Sequence, residues 1–273
     1  MPPSGSVQCA RMLKNTDIDN GRSFDWGRVS RDYAEYRDIY PPEFYRRILD
    51  AGICAKGKRV LDIGTGTGVL PRNLYGSGAE FVGVDSSERQ IAEAKLLSEK
   101  AGMNIPFQCV PAEKIDFPDS SFDAVTACQC LVYFNHAELA PALRRVLKPG
   151  GRFAVLYMAW LPFEDRVAGE SEGLILKYNP MWTGGGEKRR PIRVPEAYGE
   201  CFRIESQTVF DLQVAFSRES WNGRIKSCRG VGASLSEREI ADFDSEHRKL
   251  LNGIAPPEFN VLHYAAITVL GRK

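Results

Sequence analysis

Short, unbroken apolar runs alternate along this chain with longer segments in which apolar residues recur every three to four positions. The runs are KGKRVLDIG, EFVGVD, PFQCVP, FDAVTACQC and GGRFAVLYM, all between Lys56 and Met158. Runs of this kind, bounded by glycine and proline, predict strands buried on both faces. Between them the periodic segments predict helices: one around Leu70 to Tyr75, SERQIAEAKLLSEKAG with Ser86 or Ser87 as its cap and Gly102 near its end, and NHAELAPALRRVL. Strands alternating with helices at this spacing predict βαβ units, a parallel sheet and right-handed connections.

The flanks follow other rhythms. Residues 1–23 are polar and read as a flexible lead-in. In FDWGRVSRDYAEYRDIYP, Tyr33, Tyr36, Arg37 and Tyr40 fall at helical intervals before Pro41. A second helix, near PPEFYRRILDAGI, opens on proline, where a missing N–H costs little. After Met158 the pattern predicts a helix in EDRVAGESEGLILKY, a loop in NPMWTGGGEKRRPIRVP and a strand in FRIESQTVFDL. Two serine-capped helices, SRESWNGRIKSC and SEREIADFDSEHRKLLNGI, precede a last strand, VLHYAAITVLG. The two late strands are expected to extend the parallel sheet on its far side. The organisation predicted is one domain over 24–273, with cap helices at 24–50 and an inserted lid region at 159–200.

Composition narrows the function. A formal net charge of +1 over 273 residues supplies no field that would draw the chain onto nucleic acid or an anionic membrane. No apolar run reaches the length of a membrane span, and the first residues lack the basic-then-apolar pattern of a secretory signal, so a cytoplasmic setting is expected. The seven cysteines are odd in number and form no CxxC pair, which fits reduced thiols. Cys128 and Cys130 are expected to share one face of a strand. With only His136, His247 and His263 besides, no metal site is predicted.

The chemistry concentrates in VLDIGTGTGV. Gly64, Gly66 and Gly68 permit positive φ and remove Cβ bulk, so a ligand can approach main-chain N–H groups at the start of a helix. Asp62 is placed to orient the loop. Asp85 ends the next strand, seventeen residues after Gly68, where a carboxylate accepts hydrogen bonds from the vicinal hydroxyls of a ribose. Turn and clamp together point to an adenosine-containing ligand. The competing account is a turn that merely packs helix on strand, with Asp85 as a helix cap. The dinucleotide fingerprint needs glycine at 69, and Val69 stands there, which speaks against a nucleotide-dependent oxidoreductase.

Two further blocks, VPAEKIDFPDSSFDAV and RRVLKPGGRFAV, complete a set of four. In this order, over about Tyr33 to Met158, they resemble the class I S-adenosylmethionine-dependent methyltransferases. The resemblance implies an α/β, Rossmann-like fold: a seven-stranded, mostly parallel sheet with helices on both faces, its last strand antiparallel, and the cofactor over the carboxyl ends of the central strands. It implies that Gly64, Thr65, Gly66 and Gly68 approach the methionyl part of S-adenosyl-L-methionine. Asp85 would hold the ribose, with Ser86 and Gln90 beside the adenine, Ala112 and Glu113 in contact with it, and Gln129 near the methionine moiety. Gln90 stands where relatives usually carry an apolar residue, and Pro111 where they often carry aspartate.

The resemblance also implies transfer to a small-molecule acceptor, with a carboxylate-bearing one expected. Tyr33, Arg37 and Tyr40 would cap the site. QCLVYFN resembles the QAFHWF block of a subgroup near trans-aconitate methyltransferases. Gln129 and Phe134 are kept, but Val132 and Tyr133 replace the histidine and tryptophan, so a histidine base there is absent and His136 reads as an exposed helix-cap residue. Tyr133, Arg189 and Arg190 of a mobile lid, and Trp221 and Arg224 of a late helix, are the acceptor-side candidates. No catalytic residue is assigned, because a sulfonium is already an activated leaving group. The alternative of a different class is a non-catalytic S-adenosylmethionine-binding protein.

Overall fold

The computed structural model describes residues 18–29 and 35–273. Its strands are β1 (Arg59–Ile63), β2 (Glu80–Asp85), β3 (Phe107–Cys109), β4 (Phe122–Cys128), β5 (Leu147–Trp160), β6 (Phe202–Ser217) and β7 (Glu258–Arg272). They form one sheet in the order β3-β2-β1-β4-β5-β7-β6. The first five pair in parallel, as the alternating pattern predicts. The far side differs from the parallel extension expected from periodicity alone. There β7 runs antiparallel to both β5 and β6, which is the reversed last strand that the resemblance implies.

The α-helices of the described residues are α1 (Pro42–Asp50), α2 (Val69–Asn73), α3 (Glu88–Lys100), α4 (His136–Val146), α5 (Arg166–Tyr178), α6 (Arg218–Lys226) and α7 (Glu237–Ile254). Strand side chains alternate between the faces of the sheet. Val60 of β1 joins Phe44, Leu70, Ile91 and Ala94 of α1 to α3 in one core, which continues through Trp160, Trp221 and Phe243. Leu61 and Ile63 point the other way, into a second core with Leu139, Leu143 and Val146 of α4. Asp123 locks the amino ends together: it accepts from the Arg59 amide (2.9 Å) and from Lys148 Nζ of the LKPGG turn (2.8 Å).

Two predicted elements are shorter than their patterns. Residues 35 and 36 are helical, but the chain leaves the helix at Arg37 and has no regular structure from there to Pro41. A residue preceding proline is pushed out of the α region, and Tyr40 instead stacks on Phe44 with ring centroids 4.6 Å apart. The strand carrying Cys128 ends there, because Gln129 takes a left-handed φ of 65°. The two thiols therefore do not share a strand face: Cys128 Sγ donates to the Tyr40 hydroxyl (3.4 Å) and Cys130 Sγ to the Ile63 carbonyl (3.2 Å). The six cysteines among the described residues are free.

A buried polar chain joins the last helices. His247 of α7, fully enclosed, has Nδ1 2.7 Å from Asn222 Oδ1 of α6 and Nε2 2.9 Å from Ser171 Oγ of α5. Ser171 also accepts from Trp221 Nε1 (2.9 Å). Burial lowers the His247 pKa from 6.5 to about 4, against the pull of Asp244. A group whose folded pKa is depressed contributes stability above its unfolded pKa and loses it as pH falls through the folded one. Stability should therefore drop between about pH 6.5 and pH 4, by up to about 3 kcal/mol from this residue. Urea unfolding at pH 7 and pH 4.5 checks this. His247→Gln should lose less stability between the two pH values than the parent does, and equal losses would show that His247 does not cause the drop.

Candidate functional site

The glycine turn leaves the carboxyl end of β1 as predicted. Gly64, Gly66 and Gly68 all have positive φ, at 60°, 56° and 73°. At Gly64 and Gly68 the protein itself fills the space beside the backbone. A Cβ on Gly64 would lie 2.8 Å from Cys130 Sγ, and one on Gly68 would lie 2.8 Å from Cζ of Phe107. Thr65 and Thr67 point inward and are buried.

Asp85, at the end of β2, is half-buried and faces the turn. One carboxylate oxygen accepts from the Gly66 amide (3.0 Å) and the other from the Ser87 amide (2.9 Å). Burial raises its pKa, and the amide hydrogen bonds of Ser87 and Gly66 oppose the rise. Asp62 lies beneath, 2% exposed, and accepts from the Thr126 hydroxyl (2.6 Å). Burial pushes its pKa up to about 6, the Thr126 hydroxyl pulls it down, and the Asp85 charge adds to the rise.

Around this pair stand the other expected contacts. Ser86 is exposed just beyond Asp85. Gln90, in the first turn of α3, is buried, and its Nε2 donates to the Trp26 carbonyl (3.3 Å). Its Oε1 has no partner among the described residues. Ala112 is buried at the start of a short 3-10 turn after β3. Glu113 is turned toward α4 and accepts from the Asn135 amide (2.8 Å). Gln129 holds β4 to β5 by donating Nε2 to the Met158 carbonyl.

The cap residues, His136 and the acceptor-side candidates fare unevenly. Tyr33 lies outside the described residues. Arg37 is half-buried. Tyr133 packs against Phe24 (5.7 Å) and Trp26 (6.0 Å). His136 is not the exposed cap residue expected: it is half-buried, with Nδ1 3.2 Å from the Tyr198 hydroxyl.

The expected mobile lid is pinned. Arg189 binds Asp211 of β6 through two nitrogens (2.6 and 2.9 Å) and also pairs with Glu164. Arg190 pairs with Glu187, which itself accepts from the hydroxyls of Tyr157 (3.0 Å) and Tyr264 (2.8 Å). Both arginines are thus answered by the chain's own carboxylates on the β5–β7–β6 side. Trp221 has 0% exposure and packs edge-on against Trp160 (5.7 Å), a core position rather than a pocket wall. Arg224 is 5% exposed, with its guanidinium 5.0 Å over the Trp160 ring.

The expected lead-in also needs correction at its end. Residues 18–23 are fastened, with Asp19 fully buried and ion-paired to Arg229 at 2.8 Å. No sequence signal marks this segment, because its partners are more than 150 residues away. Among the described residues no three His, Cys, Asp or Glu side chains gather where a metal would sit, and no helix is long and apolar enough to cross a membrane.

Residues 60–151 match the model of a family described as a methyltransferase domain. The ubiquinone biosynthesis O-methyltransferase of Bradyrhizobium diazoefficiens is 34% identical over 193 residues, covering 66% of this chain and 74% of that protein. The demethylmenaquinone methyltransferase of Thermus thermophilus is 40% identical over 116 residues, 41% of this chain and 52% of that one. Among solved structures, the [4+2]-cyclase SpnF superposes with a TM-score of 0.54 at 18% identity, over 90% of this chain and 93% of that one. Likeness at that identity bears on the fold alone. The sheet order with its reversed last strand is that of a Rossmann-like methyltransferase fold. The chain belongs to the class I S-adenosylmethionine-dependent methyltransferases. It spans about half the length of several of the curated relatives it matches.

Proposed function

We propose that this chain transfers the methyl group of S-adenosylmethionine to a small-molecule acceptor by in-line displacement. The observation that carries this is the Asp85 carboxylate facing a left-handed glycine turn at the carboxyl ends of adjacent strands. The residues present suit the cofactor. Asp85 accepts backbone amides of Gly66, Ser86 and Ser87 and keeps lone-pair capacity for a sugar hydroxyl. Gln90 Oε1, a buried acceptor without a partner among the described residues, suits an amine on a base. Gly64, Thr65, Gly66 and Gly68 would hold the methionyl end with Gln129 near it, Asp85 the ribose, and Ser86, Gln90, Ala112 and Glu113 the base, with Arg37 in the cap over the cofactor.

S-Adenosylmethionine supplies a methyl group on a positively charged sulfur, so the chain has no need to provide a metal or a covalent nucleophile. What remains for its residues is to align the acceptor and exclude water. Trp160 lies two residues past Met158, whose carbonyl the end of β4 holds through Gln129. The Arg224 guanidinium, held over the Trp160 ring, suits an acceptor carrying an anionic group. The curated relatives named above take their names from quinone biosynthesis, which favours a hydroxylated aromatic acceptor here. The acceptor's carboxylate, when present, would meet Arg224.

Calorimetric titration with S-adenosylhomocysteine, beside methyl-release assays on hydroxylated aromatic acids and aliphatic acids, tests the proposal. We expect binding, and turnover on an aromatic acid. Arg224→Gln should raise KM for a carboxylate-bearing acceptor about tenfold, the worth of one charge-assisted hydrogen bond, and leave a neutral analogue nearly unchanged. Binding with no turnover on any acceptor would instead mark a non-catalytic binder.

A further inference from the structure

Residues 18–29 run across the carboxyl-terminal side of the sheet and are held at both ends. At one end, Asp19 accepts from the Thr183 amide (2.8 Å) and is ion-paired with Arg229, Nε to Oδ2 at 2.8 Å and Nη2 to Oδ1 at 3.1 Å. Asp19 has 0% exposure, so that guanidinium and the Thr183 groups are its partners in place of water. Arg22 adds hydrogen bonds to Asn179 Oδ1 (3.1 Å) and the Ser234 carbonyl (3.2 Å), and the Asp25 amide donates to the Ala233 carbonyl (3.1 Å).

At the other end the segment meets the nucleotide side of the fold. The Trp26 carbonyl accepts from Gln90 Nε2, in the first turn of α3, three residues past the Ser87 cap. The Trp26 and Phe24 rings pack on Tyr133, in the turn that leaves β4. Arg229 Nη1 donates to the Tyr133 hydroxyl (3.1 Å), so the ion pair and the aromatic cluster form one unit. The glycine turn lies between these two supports, since Asp85 ties Gly66 to the start of α3 and Gly64 abuts Cys130.

We propose that residues 18–29 roof the nucleoside end of the cofactor site, and that the buried Asp19–Arg229 pair is the latch holding the roof closed. Two independent features support a ligand beneath it. Gln90 is 3% exposed and fastened to the roof through Nε2, yet its Oε1 is left without a partner among the described residues. Trp26 supplies an aromatic surface, which suits a purine base. Because the Asp19–Arg229 end is held by an ion pair and hydrogen bonds, the cofactor enters and leaves by release of that latch rather than by movement of the sheet.

This inference rests on the cofactor reading above, and the experiment separates the two. Hydrogen exchange of the full chain is followed with and without S-adenosylhomocysteine, and release of that compound is timed by stopped-flow fluorescence. In the parent protein, binding should slow exchange across residues 24–29 about tenfold or more. Trp26→Ala should weaken S-adenosylhomocysteine binding about tenfold, and Trp26→Phe should restore most of the loss. Because truncating one latch partner strands a buried charge, the latch is tested by the pair Asp19→Asn with Arg229→Gln, which removes both charges together. That variant should release the compound about tenfold faster, in line with the loss of one ion pair and its hydrogen bonds. If the parent binds S-adenosylhomocysteine but exchange at 24–29 does not change and Trp26→Ala binds as the parent does, the roof is wrong and the cofactor reading stands. If the parent does not bind it, both are wrong.

Discussion

Replacing Asp85 by alanine should weaken binding of S-adenosylhomocysteine by at least about 100-fold, because charge-assisted hydrogen bonds contribute about 1.5–3 kcal/mol each and more than one is lost. The carboxylate has two roles in the structure. It fixes the turn by accepting from the Gly66 and Ser87 amides, and its remaining lone pairs are the proposed acceptors for the ribose hydroxyls. Asp85→Asn separates these roles, since the amide oxygen still accepts while the charge and one acceptor are gone. We expect an intermediate loss of affinity and a smaller change in thermal stability than in Asp85→Ala. The pH dependence gives a second readout. Burial raises the Asp85 pKa, and a protonated carboxyl accepts fewer hydrogen bonds, so affinity should fall at the acid end sooner than for an ordinary aspartate. Asp85→Asn should lose that acid limb. Calorimetry across pH checks both points. An alanine variant that melts early yet binds with the parent's affinity would leave Asp85 as a cap of the turn and nothing more.

What the sequence disclosed follows from where each interaction is encoded. The five parallel strands were legible because their burial is written in contiguous residues, Val60 to Ile63 and Ala124 to Ala127 among them. Serine caps at Ser217 and Ser236 were legible because cap and helix are neighbours, and the choice between Ser86 and Ser87 falls to Ser87 in the structure. The glycine turn and Asp85 were legible for the same reason, as local backbone chemistry at a strand end. The interactions that shape the rest of the site are long-range and polar. Asp19 with Arg229, Arg189 with Asp211 and Glu164, and His247 with Ser171 each join residues that no periodicity relates. The basic tract in GGGEKRR therefore looked like a lid awaiting an anionic ligand, although the fold answers it with its own acids. Trp221 was ambiguous because a tryptophan on a late helix serves equally as pocket wall or core. Only the packing of Trp160 and Phe216 around it distinguishes the two. The direction of the late strands was legible only through family resemblance, since alternation does not encode strand polarity.

Gly68→Val should destabilise the protein strongly, and more than Gly68→Ala. Gly68 caps α2 with φ 73° and ψ 28°, the left-handed region that costs a residue with a Cβ about 1–2 kcal/mol. A Cβ there would also sit 2.8 Å from Phe107 Cζ and 3.4 Å from Ala94 Cβ, and overpacking of this kind costs about 1–3 kcal/mol more. The loss for Gly68→Ala is thus about 2–5 kcal/mol, and a β-branched side chain adds to it. The two contributions can be separated by a double-mutant cycle. In a Phe107→Leu background the ring is gone, so Gly68→Ala should cost less, and the remainder measures backbone strain alone. Equal cost in both backgrounds would place the whole effect in φ. No cost in either would mean that the turn adopts another conformation, and the cradle proposed for the methionyl end would go with it. The same geometry explains why glycine recurs along the turn. At Gly64 and Gly68 the neighbour that excludes a side chain is the protein's own Cys130 and Phe107, which fix the turn between β4 and β3. Gly66 serves differently, because its amide, presented by a left-handed φ, reaches Asp85. The packing glycines hold the turn rigid, and that rigidity keeps the Gly66 amide and the Asp85 carboxylate in the positions that a ligand would need.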